Sequence, residues 1–233
     1  MTEIEQMQNE VDNLANQIEE ICKTDKEVDD LYLGTQVYMS PLVQQTDFMF
    51  IGINPGSGCL KKGGFKPHFI KPLEKSGYET EEFQLQNEWS FIFGERNKIN
   101  NLDLLYEGVK TNTCFIATED ATRLRKLKNM LRNKYGLDFS QKQKEWLKLL
   151  IRFVDPKVII CEGFEAFYEV QKVFFHDEFK LTEDWNNHKY AYLNEFTPVL
   201  GFKRIYSRFI DSEDVVETIC SAMEETHIIN NGK

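Results

Sequence analysis

Closely paired cysteines, long apolar runs and a net basic charge are all missing from this 233-residue sequence. Its five cysteines, Cys22, Cys59, Cys114, Cys161 and Cys220, are odd in number and never closer than 37 residues. That spacing excludes a C-x-x-C zinc or redox motif and argues against a disulfide framework or an iron–sulfur cluster. No apolar run approaches the roughly 18–20 residues of a membrane span. The start, Met1-Thr-Glu-Ile-Glu-Gln, is acidic and lacks the basic-then-apolar layout of a secretory signal. A soluble cytoplasmic protein with no membrane partner is the expectation. The four histidines, His68, His176, His188 and His227, lack ligand spacing, so no metal is expected.

What is present begins with 41% hydrophobic residues, enough over this length for one domain with a real core. The net charge of −10 hides a distribution. Residues 1–30 carry ten acidic and two basic side chains, and residues 211–233 carry six and one. The middle is therefore net +3, with twelve basic against five acidic residues over 110–157 and five lysines against one glutamate over 61–75. Local patches decide whether a polyanion can dock, so a phosphate backbone is not excluded. A solvated helix face explains the same charges equally well.

Ile4, Met7, Val11, Leu14, Ile18 and Ile21 recur at spacings of three and four, which predicts an acidic amphipathic helix over 1–30. Packing onto its own chain is the favoured use of that stripe, and a homodimer or another protein partner the alternative. The rest, 31–233, reads as one domain. Phe48-Met-Phe-Ile-Gly-Ile53 is apolar at every position, as a strand buried on both faces must be. Further strands are expected at 108–117, 157–161 and 199–206. Between them lie helices over parts of 79–107, near 121–135, over 141–154 and from 164 to about 175. Asp211 and Ser212 are N-cap candidates for a last helix ending near Glu225. Alternating strands and helices predict an α/β fold, a three-layer α/β/α sandwich on a mostly parallel four-stranded sheet. Ligands of such a sheet bind at the carboxyl ends of its strands. Four segments should converge there: Asn54-Pro-Gly-Ser-Gly58, Thr111-Asn112, Glu162-Gly163 and Tyr206-Ser207-Arg208.

Phe48-Met-Phe-Ile-Gly-Ile-Asn-Pro-Gly56 resembles the first active-site motif of the uracil-DNA glycosylase superfamily, in the Gly-Ile-Asn-Pro-Gly version of its mismatch-specific and thymine-DNA branches. Trp146 to Gly163, a helix followed by Pro-Lys and an apolar strand ending in Gly, is similar to a later stretch of that family. The resemblance covers about 47–210. The family's second motif begins His-Pro-Ser, and its His helps to stabilise the departing base. Here Arg204-Ile-Tyr-Ser-Arg-Phe209 stands in its place, with neither His nor Pro.

The resemblance implies a cofactor-free, monofunctional DNA glycosylase of that fold, with DNA as its partner. It would hydrolyse the N-glycosidic bond of a flipped-out uracil or modified pyrimidine and leave an abasic site. The departures from the family pattern extend the expectation to hypermodified cytosine of phage DNA, excised in antiviral defence. A catalytically silent DNA- or nucleotide-binding protein of the same fold is the alternative.

Asn54 is the catalytic candidate: an amide is no general base, but its carbonyl oxygen can hold the attacking water. The plainer reading is a turn residue before Pro55. His68 could act on the leaving base or on phosphate, or be a surface histidine. Gly52, Ile53, Pro55, Gly56, Ser57, Phe65, Asn112 and Tyr206 are the pocket candidates. Asn112 offers a donor and an acceptor to a base edge, or else a strand-end hydrogen bond. Phe65 stacks on the base or fills the core, and Tyr206 is a pocket wall or a buried strand residue. Lys61, Lys62, Arg123, Arg125, Lys126, Ser207, Arg208 and Phe209 are the DNA-binding candidates. Arg208 and Phe209 stand where the family's duplex wedge would be, against the plainer reading of a surface charge and a core aromatic.

Overall fold

The computed structural model describes residues 1–56, 66–80, 84–94, 97–174 and 177–228. Ser57, Lys61, Lys62 and Phe65 lie outside the described residues. In chain order the first half forms α1 (Glu3–Cys22), α2 (Lys26–Leu31), β1 (Gly34–Gln36), β2 (Phe48–Gly52), β3 (His68–Phe69), α3 (Gly77–Thr80), α4 (Gln84–Phe93), α5 (Asp103–Tyr106), β4 (Val109–Asn112) and β5 (Ile116–Ala117). The second half forms α6 (Ala121–Tyr135), α7 (Ser140–Val154), β6 (Val158–Cys161), α8 (Phe164–Val173), β7 (Phe179–Asp184), β8 (His188–Leu193), β9 (Thr197–Phe202), β10 (Arg204–Ile205), β11 (Arg208–Phe209) and α9 (Ser212–Glu225).

The main sheet runs β4-β2-β6-β9-β8-β7. Its first four strands are mutually parallel, and β8 and β7 add an antiparallel hairpin at one edge. The apolar run of β2 is explained by its two faces. Phe48 and Phe50 point into a core shared with Tyr78, Trp89 and Phe93, while Met49 and Ile51 point into a second core shared with α1, α7 and α8. In β6, Val158 and Ile160 join the first core, and Ile159 and Cys161 the second. Helices thus cover both faces, as an all-buried parallel sheet requires.

The expected four-stranded sheet is corrected to six strands. Lys180 to Asp184 of β7 are exposed and carry no alternating apolar pattern, so that edge strand has no period-2 signal. The strand expected over 108–117 also divides. After Asn112 the chain folds around the end of β2, with Thr113 N–H on Gly52 C=O at 2.8 Å and Cys114 N–H on Ile53 C=O at 2.9 Å. Ile116 and Ala117 then pair with β1 in a separate sheet, β3-β1-β5. The strand expected over 199–206 stops at Phe202, and a tight hairpin, β10–β11, follows.

Local chemistry sets the helix ends. Thr2 and Glu5 form a capping box on α1, Asp120 caps α6 and Asp211 caps α9. Gly136 closes α6 in the left-handed conformation at φ +68°. The apolar stripe of α1, Ile4, Met7, Val11, Leu14 and Ile18, is buried in the same core as Met49 and Ile159. It therefore leaves no free apolar seam for the homodimer or partner expected as the alternative use of this helix. Among the described residues no helix is long and apolar enough to cross a membrane.

Asp25 ties this N-terminal segment to the body. It accepts from the Glu27 and Val28 amides at the start of α2 and from Tyr135 Oη at 2.6 Å on α6. The Lys134 ammonium, and then the Tyr135 hydroxyl, hold its carboxyl well below the usual carboxylate range. A depressed folded-state pKa stabilises the fold above the unfolded value of 3.8, and that contribution disappears as pH falls below it. Asp25→Asn should therefore lower the melting temperature at pH 7, with the deficit shrinking in acid. Thermal melts of both proteins at pH 7 and pH 3 test this; an equal deficit at both would remove charge as its source.

Candidate active site at the carboxyl ends of the strands

The connection leaving β2 leads to α3–α5 on one face of the sheet, while the one leaving β6 leads to α8 on the other. Strand ends that diverge in this way open a crevice, the usual ligand site of an open α/β sheet. Ile53 to Gly56 flank it on one side, and Glu162 and Gly163 on the other.

The loop carrying Asn54 is held residue by residue against segment 113–118. Gly52, Ile53 and Pro55 carbonyls accept from the amides of Thr113, Cys114 and Thr118, and the Thr113 hydroxyl adds a bond to Ile53 C=O at 2.9 Å. The Asn54 side chain is fixed by the same segment. Its Nδ2 donates to Pro55 C=O at 3.0 Å, to Thr118 Oγ1 at 3.0 Å and to Thr118 C=O at 3.4 Å. Thr118 in turn donates its hydroxyl hydrogen to Asp120 C=O at 2.8 Å, so its oxygen meets Asn54 as an acceptor. Carbonyl oxygens cannot donate, and together these partners orient the amide with nitrogen inward. Oδ1 is left without a donor among the described residues.

Asn112 stands at the end of β4 directly opposite Gly52. Its side chain crosses the Gly52 Cα so closely that a Cβ there would lie 2.4 Å from Asn112 Oδ1 and 3.1 Å from Glu162 Oε2. Asn112 is 3% exposed, and its Nδ2 has no hydrogen-bond partner among the described residues. Buried donors are almost always paired, so this one is available to a ligand acceptor. Thr111, its neighbour, turns the other way and donates to Val37 C=O at 2.7 Å.

Beneath Asn112 lies a charged network of which the sequence singles out only Glu162. Lys110 Nζ donates to both oxygens of Glu162 at 2.6 Å, and Glu162 Oε1 also accepts from Trp89 Nε1 at 2.9 Å and from the Tyr78 hydroxyl. Lys110 and Glu162 are 2% and 3% exposed, which makes this a buried ion pair. Burial pushes the Glu162 carboxyl up, but the Lys110 ammonium, with the Tyr78 hydroxyl and the Arg204 charge, more than offsets it and leaves the pKa below the ordinary value. The signal was present: a lysine two residues before Asn112 in a buried strand shares its face and must have a charge partner. Arg204 closes the crevice from the β9 side, with its Nε 3.3 Å from where a Cβ on Gly163 would stand.

The remaining candidates are scattered. His68 faces α1, with Nε2 3.0 Å from Glu19 and Nδ1 3.8 Å from Asp12, and no described bond joins it to Asn54. Phe209 is a core residue, 6% exposed and packed at 4.7 Å between ring centroids on Trp89; its ring is not free to unstack bases. Tyr206 is neither pocket wall nor buried strand. It is 91% exposed at the tip of the β10–β11 hairpin, with φ +54°. Ser207 shares that tip, and Arg208 is exposed beside it. Arg123, Arg125 and Lys126 on α6 each face a carboxylate, Glu119 at 3.1 Å, Glu165 at 3.9 Å and Glu27 at 2.7 Å. No protein-family model matches the chain, and no curated protein is similar to it.

Proposed function

We propose that the chain is a DNA glycosylase that hydrolyses the N-glycosidic bond of a flipped-out pyrimidine, uracil or a modified base, and leaves an abasic site. The observation that carries this reading is the locked amide of Asn54. With Nδ2 held by Pro55 and Thr118, Oδ1 is left as the acceptor of this amide, two residues past the carboxyl end of β2. A water that donates one hydrogen to Oδ1 presents its oxygen lone pair to C1′ of the extruded nucleotide. As that bond forms, the C1′–N bond breaks and its electron pair leaves with the base. The surplus proton of the attacking water passes through solvent to the departing base anion; Asn54 takes no proton, so its contribution is positioning.

Charge then builds on the departing base, and a buried donor without another partner is suited to meet it. Asn112 Nδ2 is such a donor, which offers a base carbonyl the stabilisation that the missing His-Pro-Ser histidine would give. Gly52 permits this placement of the amide, because a Cβ there would stand 2.4 Å from Asn112 Oδ1. The hairpin after β9 supplies the wedge. Tyr206 projects from its tip, while Phe209 anchors its base in the core. That assignment replaces Phe209 as the residue that enters the base stack.

The test is abasic-site counting after incubation with genomic DNA, uracil-substituted DNA and phage DNA carrying glucosylated hydroxymethylcytosine. Sites should form on at least one substrate, and Asn54→Ala should reduce their rate by about a hundredfold or more. Undiminished turnover in Asn54→Ala would sink the assignment. DNA binding with no sites on any substrate would favour a silent binding protein.

A further inference from the structure

The β7–β8 hairpin lies outside the expected four-stranded sheet, and its tip reaches the same end of the molecule as the crevice. His188, the first residue of β8, is paired with Phe202, the last of β9. Residues 185–187 form the turn, and Asn187 C=O accepts from Lys203 N–H at 2.7 Å. This bond stitches the turn to the root of the Tyr206 hairpin. Two large aromatic side chains therefore project from neighbouring turns, Trp185 at 61% exposure and Tyr206 at 91%.

The charges at this corner are arranged unequally. Apart from the exposed Glu213, its acids are engaged within the chain: Glu183 accepts from Trp185 Nε1 at 3.0 Å, Asp214 meets His188 Nδ1 at 2.7 Å and Asp184 pairs with Lys189. Asp211 is occupied as the N-cap of α9. Lys203 and Arg208 are exposed, and no described carboxylate lies within ion-pairing distance of either. Arg204 donates to its own hairpin at Tyr206 C=O, 3.0 Å away. Arg123, Arg125, Lys126 and Lys134 of α6, by contrast, already face carboxylates.

We infer that Trp185 and Tyr206, with Lys203 and Arg208 between their hairpins, form a docking surface for single-stranded DNA beside the extruded nucleotide. Within a duplex, stacked neighbours held in place by pairing cover each base's faces; an unpaired, unstacked base offers a free π-face to an exposed indole or phenol. Stacking of this kind tolerates any sequence, while unpaired cations track the phosphates. The inference rests on DNA being the substrate, as proposed above, and adds that the substrate is single-stranded or locally opened next to the target base.

Tryptophan fluorescence isolates the prediction, because Trp89 is fully buried and Trp146 is 6% exposed. Titrating the full chain with oligo-dT should quench the emission, whereas the oligo-dT·oligo-dA duplex should leave it nearly unchanged. Trp185→Phe should abolish the quench. Trp185→Ala should weaken oligo-dT binding by about 5- to 160-fold, since one base stack contributes about 1–3 kcal/mol. The exposed position of Trp185 keeps folding out of the comparison, and Tyr206→Ala gives a second, independent variant. No quench, an equal quench by duplex, or unchanged affinity in Trp185→Ala would overturn the inference. Base excision measured alongside separates the two claims. Excision that persists with no role for Trp185 removes only the docking surface. A quench with no excision of any base removes only the glycosylase.

Discussion

Glu162→Gln should destabilise the protein by about 3–5 kcal/mol, because it strands the Lys110 ammonium inside the core. In the native chain that ammonium touches both carboxylate oxygens at 2.6 Å and has no access to water that could solvate it alone. Lys110→Met should cost a similar amount by leaving the carboxylate with the Tyr78 hydroxyl and the Trp89 indole N–H as its side-chain hydrogen-bond donors among the described residues. The double variant Lys110→Met, Glu162→Gln should recover much of the loss. It buries no net charge, and the amide oxygen at 162 still accepts from Tyr78 and Trp89. Urea unfolding of the three variants measures this as a coupling energy. Single variants within about 1 kcal/mol of the native chain would mean that water reaches the pair. The pH dependence has a definite sign. The folded Glu162 carboxyl lies below its ordinary value of 4.5, so the pair contributes at neutral pH and weakens only as acid protonates it.

The double variant also separates two uses of the network. An ion pair costs more to bury than a hydrophobic filling of the same volume, so stability alone does not explain its place under the crevice. Glu162 Oε2 and Asn112 Oδ1 crowd the same point above Gly52. A double variant that folds normally but loses excision would show that the pair positions Asn112. One that retains excision would reduce it to a core feature.

Much of this architecture is legible in the sequence, for reasons that particular residues make clear. Phe48 to Ile51 alternate between two cores, and a run that must satisfy both has to be apolar throughout. The α1 stripe, the Asp120 and Asp211 caps and Gly136 mark their helices because each acts within one or two turns. Asn54 and Asn112 stand out for the same reason: a polar residue just past a buried strand needs an explanation. The partners of these residues are less legible. Lys110, Tyr78, Trp89 and Glu162 are joined across 32 to 84 residues of chain, a distance at which no periodic pattern operates. Which of Tyr206 and Phe209 is buried is equally hard to read from the sequence. In a tight hairpin the side that faces the core depends on the turn, and Tyr206 takes a left-handed conformation that aromatic residues rarely adopt. The edge strand β7, exposed from Lys180 onward, has almost no hydrophobic signature.

Gly52→Ala is the sharpest test of the site itself. The new methyl would stand 2.4 Å from Asn112 Oδ1 and 3.1 Å from Glu162 Oε2, and both neighbours are buried. Neither is the free end of an exposed side chain, so the strain must be relieved by rotating Asn112 or spreading β2 from β4. The overpacking should cost about 1–3 kcal/mol of stability, less than the loss of Glu162. The effect on excision should be larger in proportion. A shift of about 1 Å in a group that contacts the departing base lowers turnover by about a hundredfold. That loss should fall on kcat rather than on DNA affinity, because Tyr206, Lys203 and Arg208 are untouched. Single-turnover excision and oligonucleotide binding measured on the same variant distinguish the two. Excision at the native rate with Asn112 displaced would show that Asn112 has no part in the chemistry. Loss of excision and binding together would place the damage in the fold, which urea unfolding would reveal directly.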